Sequence, residues 1–193
     1  MQDLILEPFA GLVFNMTPGQ STSLAGIQHS GVLLGMITVG IGGSAFKGRM
    51  PVELRTWIVA GCIGSAVSLF GLSFGAMNGP GWPLLTNVFI LGFCNGAFAV
   101  AAIGAMMGLA GAGHRTREGI RMGVWGASQA IAFGLGGLLG AVGVDFARRS
   151  SENDGSAFQL IFAIEAVAFL IAAILAAQAA KDNIKLRTGT VTT

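Results

Sequence analysis

The chain has 193 residues, of which 53% are hydrophobic and 10% charged, with 31 glycines and a mean hydropathy of +0.72. Soluble domains carry about 25% charged residues, so this composition excludes a water-soluble globular domain and points to an integral membrane protein. A formal net charge of +2 is too small for nucleic-acid binding, and the clustered basic residues bear on topology rather than on partners.

The chain opens MQDLILEPF. Residues 1–16 are helical in pattern, a partial helix too short to cross about 30 Å of hydrocarbon. This stretch lacks a basic n-region and carries Asp3 and Glu7 where a signal peptide has its apolar core, so it is not read as one. It looks like the second half of a span. It ends in MTPGQST, where Pro18 and Gly19 are expected to mark a turn. The NMT triplet at Asn15 matches a glycosylation sequon by chance, with Pro18 directly after it.

Five complete spans follow, at 22–45, 56–77, 84–109, 119–146 and 157–180, with a tail at 181–193. Each has roughly the 20 apolar residues that a transmembrane helix needs, and no connector is long enough to hold a soluble domain. The expected fold is therefore all-α, a polytopic membrane helix bundle. Basic residues set its orientation: Lys47, Arg49 and Arg55 after the first complete span, Arg115, Arg117 and Arg121 after the third, and Lys181, Lys185 and Arg187 in the tail should be cytoplasmic. The connectors at 16–20 and 78–83 have no basic residue, whereas Arg148 and Arg149 breach the pattern locally. The C-terminus is expected in the cytoplasm.

Glycines standing four apart describe how the helices should touch. Gly31 and Gly35, Gly71 and Gly75, Gly92 and Gly96, Gly104 and Gly108, and Gly136 and Gly140 have this spacing, which lets helix backbones approach closely where no hydrophobic effect drives association. The run GLGGLLG sits mid-span and follows no strand, so it is not a dinucleotide-binding loop. Cys62 and Cys94 lie in apolar runs and read as small buried hydrophobes. Trp57, Trp82 and Trp125 stand near span ends, as interfacial anchors do.

Polar groups inside the spans are few. Glu165, in IFAIEAVAF, is an isolated acid with apolar neighbours and should point inward or be protonated. Asn87, Asn95, Ser128 and Gln129 are expected to act as interhelical hydrogen-bonding groups. In HRTREGIRMG, Arg115, Arg117 and Arg121 surround Glu118 at a helix start, where an acid suits the positive end of the helix dipole. Two readings of that segment stand side by side, a site for anionic lipid headgroups and plain topology determination.

MQDLILEPF, followed by an uncharged turn and a TSLAG helix start, and then REGIRMGVWGASQAIAFGLGGLLGAV, resembles the C-terminal half of the PucC and LhaA family. That family is a bacteriochlorophyll-linked branch of the major facilitator superfamily in purple phototrophic bacteria. The resemblance runs over nearly the whole chain. It implies the C-terminal six-helix half of a bundle of about twelve spans, with the first helix truncated and an N-terminal six-helix half as its partner. It also implies an intracytoplasmic photosynthetic membrane as the location, and a conformational latch as a further reading of Arg115, Arg117, Glu118 and Arg121.

On that alignment MQDLILEPF lies mid-membrane, so Asp3 and Glu7 share one helical face as intramembrane acids, with Pro8 freeing the carbonyl of Leu4. Asp3, Glu7, His29 and Glu165 are then the candidate pigment- or proton-binding residues. His29, about two turns into its helix, is either a ligand for the magnesium of a bacteriochlorophyll or a structural histidine bonded to a neighbouring helix.

No nucleophile with a base at usable spacing, no ligand cluster and no phosphate loop is seen, so no enzymatic activity is expected. The resemblance implies an assembly factor that helps insert light-harvesting alpha and beta polypeptides, or build the reaction-centre antenna, while holding or delivering bacteriochlorophyll. Two other readings are a structural subunit bound to a photosynthetic complex, and half of a proton-coupled small-solute transporter that uses Asp3, Glu7 and Glu165.

Overall fold

A computed structural model describes the backbone of residues 2–45, 54–111, 118–150 and 154–189, and the side chains over 4–42, 54–108, 119–147 and 155–178. These residues form α1 (Gln2–Phe14), α2 (Pro18–Ala45), α3 (Leu54–Asn78), a single 3-10 turn (Gly79–Gly81), α4 (Leu84–Gly111), α5 (Glu118–Ser150) and α6 (Asp154–Gly189). In hydrocarbon each backbone donor and acceptor needs a partner within the protein, and a helix supplies it locally. Five of the helices are long and apolar enough to cross a membrane: Pro18–Gly42, Leu54–Gly81, Leu84–Gly108, Gly119–Ala147 and Gly155–Gln178. The protein is a polytopic helical membrane bundle.

The break between α1 and α2 lies earlier than expected. Asn15 takes a left-handed conformation (φ 54°), and the Met16 N–H donates to the Ala10 carbonyl at 3.2 Å, closing α1 by a left-handed C-terminal turn. Thr17 then caps α2: the Gln20 side chain reaches back to accept from the Thr17 N–H at 2.9 Å, half of a capping box. Pro18 occupies the first helical position, where its missing N–H costs nothing and its fixed φ is already helical. Pro18 and Gly19 therefore begin a helix instead of forming the turn that their composition suggested. At the other end, the segment expected as a tail is helical as far as Gly189.

α1 lies in the middle of the packing. Ile5, Leu6, Phe9 and Ala10 are buried among Leu24 of α2, Leu69 and Leu72 of α3, Val88 and Leu91 of α4, and Phe158, Ile161 and Phe162 of α6. Phe9 anchors it, with ring centroids 4.9 Å from Phe162, 5.3 Å from Phe158 and 5.4 Å from Phe14.

Glycine sets the tightest helix pair. α2 and α4 run parallel, and each places its glycines under the other's carbonyls. A Cβ at Gly31 would stand 2.3 Å from the Phe89 carbonyl oxygen, and one at Gly35 would stand 2.1 Å from that of Phe93. In return, a Cβ at Gly92 would stand 2.2 Å from the Gln28 carbonyl oxygen and one at Gly96 2.1 Å from that of Val32. Such closeness brings Cα–H groups against carbonyl oxygens, a weak but repeated attraction.

α3 and α4 pack antiparallel through Gly71, which makes room for Asn87, and Gly75, which faces the Trp82 ring. The remaining four-apart pairs behave differently. A Cβ at Gly104 would stand 3.2 Å from the Leu54 side chain, while one at Gly108 or Gly136 would meet nothing within 4 Å. Among the described side chains of α5, Gly137, Gly140, Val144 and Ala147 are the buried ones. Most of that helix faces away from the bundle.

Candidate functional site

His29 sits near the middle of the α2 span, which begins at Pro18 and so puts the residue a turn deeper than the expected helix start implied. It is exposed on the outside of the bundle. Its Nδ1 lies 2.7 Å from the Ala25 carbonyl oxygen one turn back. A carbonyl can only accept, so Nδ1 carries a proton, and in the neutral ring Nε2 then keeps its lone pair. The neighbouring turn is small: Gly26 has nothing within 4 Å of where a Cβ would stand. Leu33 and Met36, on the same helical face, are exposed apolar side chains.

Inside the bundle a polar seam follows α3. Ser65 donates to the Asn95 side-chain oxygen across the α3–α4 interface at 2.8 Å. The Asn87 amide, turned so that its nitrogen faces the Ser68 carbonyl at 3.1 Å, accepts from the Trp82 Nε1 at 3.1 Å and the Leu72 N–H at 3.0 Å. Ser73 donates to the Gln159 carbonyl of α6 at 3.0 Å, and the Arg55 guanidinium donates to the Ala177 carbonyl of the same helix. These two contacts fix an antiparallel register that brings the buried Glu165 level with residues 65–68 of α3. Ser65, Ser68, Ser73 and Gln28 are buried polar residues that sequence reasoning passed over. The short serine spacing in GSAVSLFGLS was the available signal. A double-mutant cycle on Ser65→Ala and Asn95→Ala should return a coupling of about 0.6 kcal/mol, the usual size for an interhelical bond in a membrane protein; a value near zero in detergent unfolding would show that this bond is not made.

The other candidates divide by position. Glu7 is exposed, with Leu4, Pro8 and Leu12 on the same outward side of α1, so it does not point into the interior of this bundle. Phe9 and its buried neighbours take that side, leaving Glu7 to the other face. The side chains of Asp3 and Glu118 lie outside the described residues, as do Arg115 and Arg117; Arg121 is exposed at the start of α5. Ser128 and Gln129 face outward on α5, where the Ser128 hydroxyl donates to the Val124 carbonyl of its own helix at 2.8 Å. Within the described residues the Ser128 hydroxyl is therefore satisfied inside its own helix. Cys62 and Cys94 are free thiols, Cys62 buried and Cys94 half-buried. The structure thus groups Asn87 and Asn95 with the α3 seam, and keeps His29, Glu7 and Glu165 on separate helices and faces.

Comparison with known families decides where this bundle belongs. The PUCC protein family matches residues 1–183. The chain belongs to the PUCC family. It is 51% identical over 177 residues to the bacteriochlorophyll synthase 44.5 kDa chain of Rhodobacter capsulatus, a match covering 91% of this chain and 40% of that relative. It is 32% identical to protein PucC of Rhodobacter capsulatus, covering 89% of this chain and 37% of the relative. Protein PucC of Cereibacter sphaeroides is 30% identical, over 86% of this chain and 35% of that one. The chain thus spans about two fifths of the length of these PUCC relatives. No solved structure matches it.

Proposed function

We propose that this PUCC-family chain works as an integral membrane assembly factor for light-harvesting and reaction-centre antenna complexes, bringing bacteriochlorophyll together with the polypeptides that receive it. The observation that carries this reading is the 51% identity, over 91% of the chain, to a relative named for bacteriochlorophyll synthesis. The shape of the bundle supports it. α5 presents Gly119, Gly123 and Gly126 on open ground, and small residues three or four apart let a second helix approach closely in lipid. Single-span antenna polypeptides and a further six-helix half, for which the greater length of the relatives leaves room, are the two partners of that kind. The location that follows is the intracytoplasmic photosynthetic membrane, with the C-terminus on the cytoplasmic side by the distribution of Lys and Arg.

Deletion of the gene in its native host tests the reading. The near-infrared bands of assembled antenna complexes should fall several-fold while the cells still make bacteriochlorophyll. Loss of bacteriochlorophyll itself would instead indicate a step in pigment synthesis, and unchanged antenna bands would overturn the assembly role. The protein should also be present well below the level of antenna subunits. Stoichiometric retention in washed complexes would mark it as a structural subunit.

A further inference from the structure

His29 raises a chemical problem that the bundle does not solve. An imidazole stands near mid-span on an exposed face of α2, a depth at which an unsatisfied polar atom is costly. Half of the ring is already served, because Nδ1–H donates to the Ala25 carbonyl at 2.7 Å. That bond fixes the tautomer and ring orientation, in the manner of the backbone carbonyls that hold metal-ligating histidines. In the neutral ring it also leaves Nε2 a lone pair, and among the described residues the ring's hydrogen bond is the one at Nδ1.

The surroundings restrict what can satisfy it. Side chains on a helix lean over the turn that precedes them, so the imidazole overlies the turn of Thr22, Ala25 and Gly26. At Gly26 a Cβ would meet nothing within 4 Å, and Thr22 and Ala25 are small. A broad, flat group can therefore lie against the helix at this level. On the other side of the imidazole, one and two turns further along the same face, Leu33 and Met36 add exposed apolar surface. An imidazole nitrogen beside a low surface of small side chains is a donor set for a planar metal macrocycle whose metal takes one ligand from the protein.

We propose that His29 Nε2 is the axial ligand of a magnesium tetrapyrrole of the bacteriochlorophyll type, seated on the outer face of α2 over the Thr22–Gly26 turn. The proposal rests on the pigment-handling reading above and specifies its site. Bound there, the pigment would be presented from the periphery of the bundle, open to a second membrane polypeptide.

The test is a titration of the purified protein in lipid nanodiscs with bacteriochlorophyll a, read by absorption and by bound pigment per chain. The wild type should take up one pigment with a ligand-dependent shift of its Q bands, and His29→Leu should bind at least tenfold more weakly. Gly26→Leu, which keeps the histidine but fills the flat ground, should also lose at least tenfold. His29→Gly should recover binding when free imidazole is added, an outcome that a purely structural histidine would not give. Magnesium-free bacteriopheophytin a should bind wild type and His29→Leu alike.

Equal binding of bacteriochlorophyll by wild type and His29→Leu overturns the proposal. So does equal affinity of the wild type for the magnesium-free pigment, which would indicate apolar adsorption. If His29→Leu binds pigment normally but loses a co-purifying membrane polypeptide, Nε2 serves a partner helix and the proposal also fails. Because the titration reads pigment on the isolated protein and the gene deletion reads antenna complexes in cells, each can fail without the other. Since His29 is exposed, His29→Leu should unfold at the same temperature as the wild type, which separates ligand loss from misfolding.

Discussion

Gly35→Ala and Gly96→Ala are each expected to destabilise the bundle by about 3 kcal/mol, the upper part of the range for overpacking a well-packed interior. An added methyl at either position would stand 2.1 Å from a backbone carbonyl oxygen of the facing helix. Flexible side chains can give way, but here the obstacle is helix backbone, so α2 and α4 must part by roughly 1 Å along their shared length, losing dispersion contacts on both sides. Gly31 and Gly92 stand under the same constraint, at 2.3 Å and 2.2 Å, so separation at one site loosens the others and paired substitutions should be less than additive.

The control is on α5. Gly123→Ala and Gly134→Ala meet nothing within 4 Å, and alanine favours a helix by about 1 kcal/mol over glycine. These variants should be neutral or slightly more stable in denaturant titrations of the purified protein. Equal destabilisation of both sets would show that α2 and α4 do not interlock through their glycines.

Phe9→Ala is expected to release α1 from the bundle at a cost of about 3 kcal/mol, the low end for truncating a buried aromatic ring. In lipid, removing the ring brings no penalty from water. What is lost is the packing of a fully buried side chain against Phe14, Phe158 and Phe162, where each aromatic pair contributes about 0.5–1.5 kcal/mol beyond its area, together with the cavity left behind. α1 has 13 residues and rests mainly on Ile5, Leu6, Phe9 and Ala10, so loss of the central anchor should free it. Labelling of a cysteine introduced at Ile5, inaccessible in the intact bundle, reads the release. Leu12→Ala, at a site 42% exposed, should leave that labelling unchanged. Rapid labelling at Ile5 in the parent protein would disprove the docking of α1.

Pro18 shows why local signals can mislead. Pro-Gly between two apolar stretches is ordinarily a turn, and in MTPGQST the same pair starts α2, because Thr17 and Gln20 supply a cap around it. The cap was present in the sequence as a T-x-x-Q spacing. Glu7 shows a second limit. Its helical face follows from its spacing, but which face of α1 meets the core depends on where Phe158 and Phe162 lie, some 150 residues further along the chain.

Composition and periodicity alone determined that this is a polytopic membrane protein of apolar helices, and its long motifs pointed to the PUCC family. These properties are local: a run of apolar residues must form a helix in lipid wherever it sits, because its backbone has no other way to be satisfied. The tertiary structure decided which glycines interlock, which serines line the interior, and that His29 and Glu7 face outward while Glu165 is buried. In a soluble helix the polar face betrays the outside. Here lipid and core are equally apolar, so no contrast along the sequence marks the inner face, and only the contacts between helices can assign it.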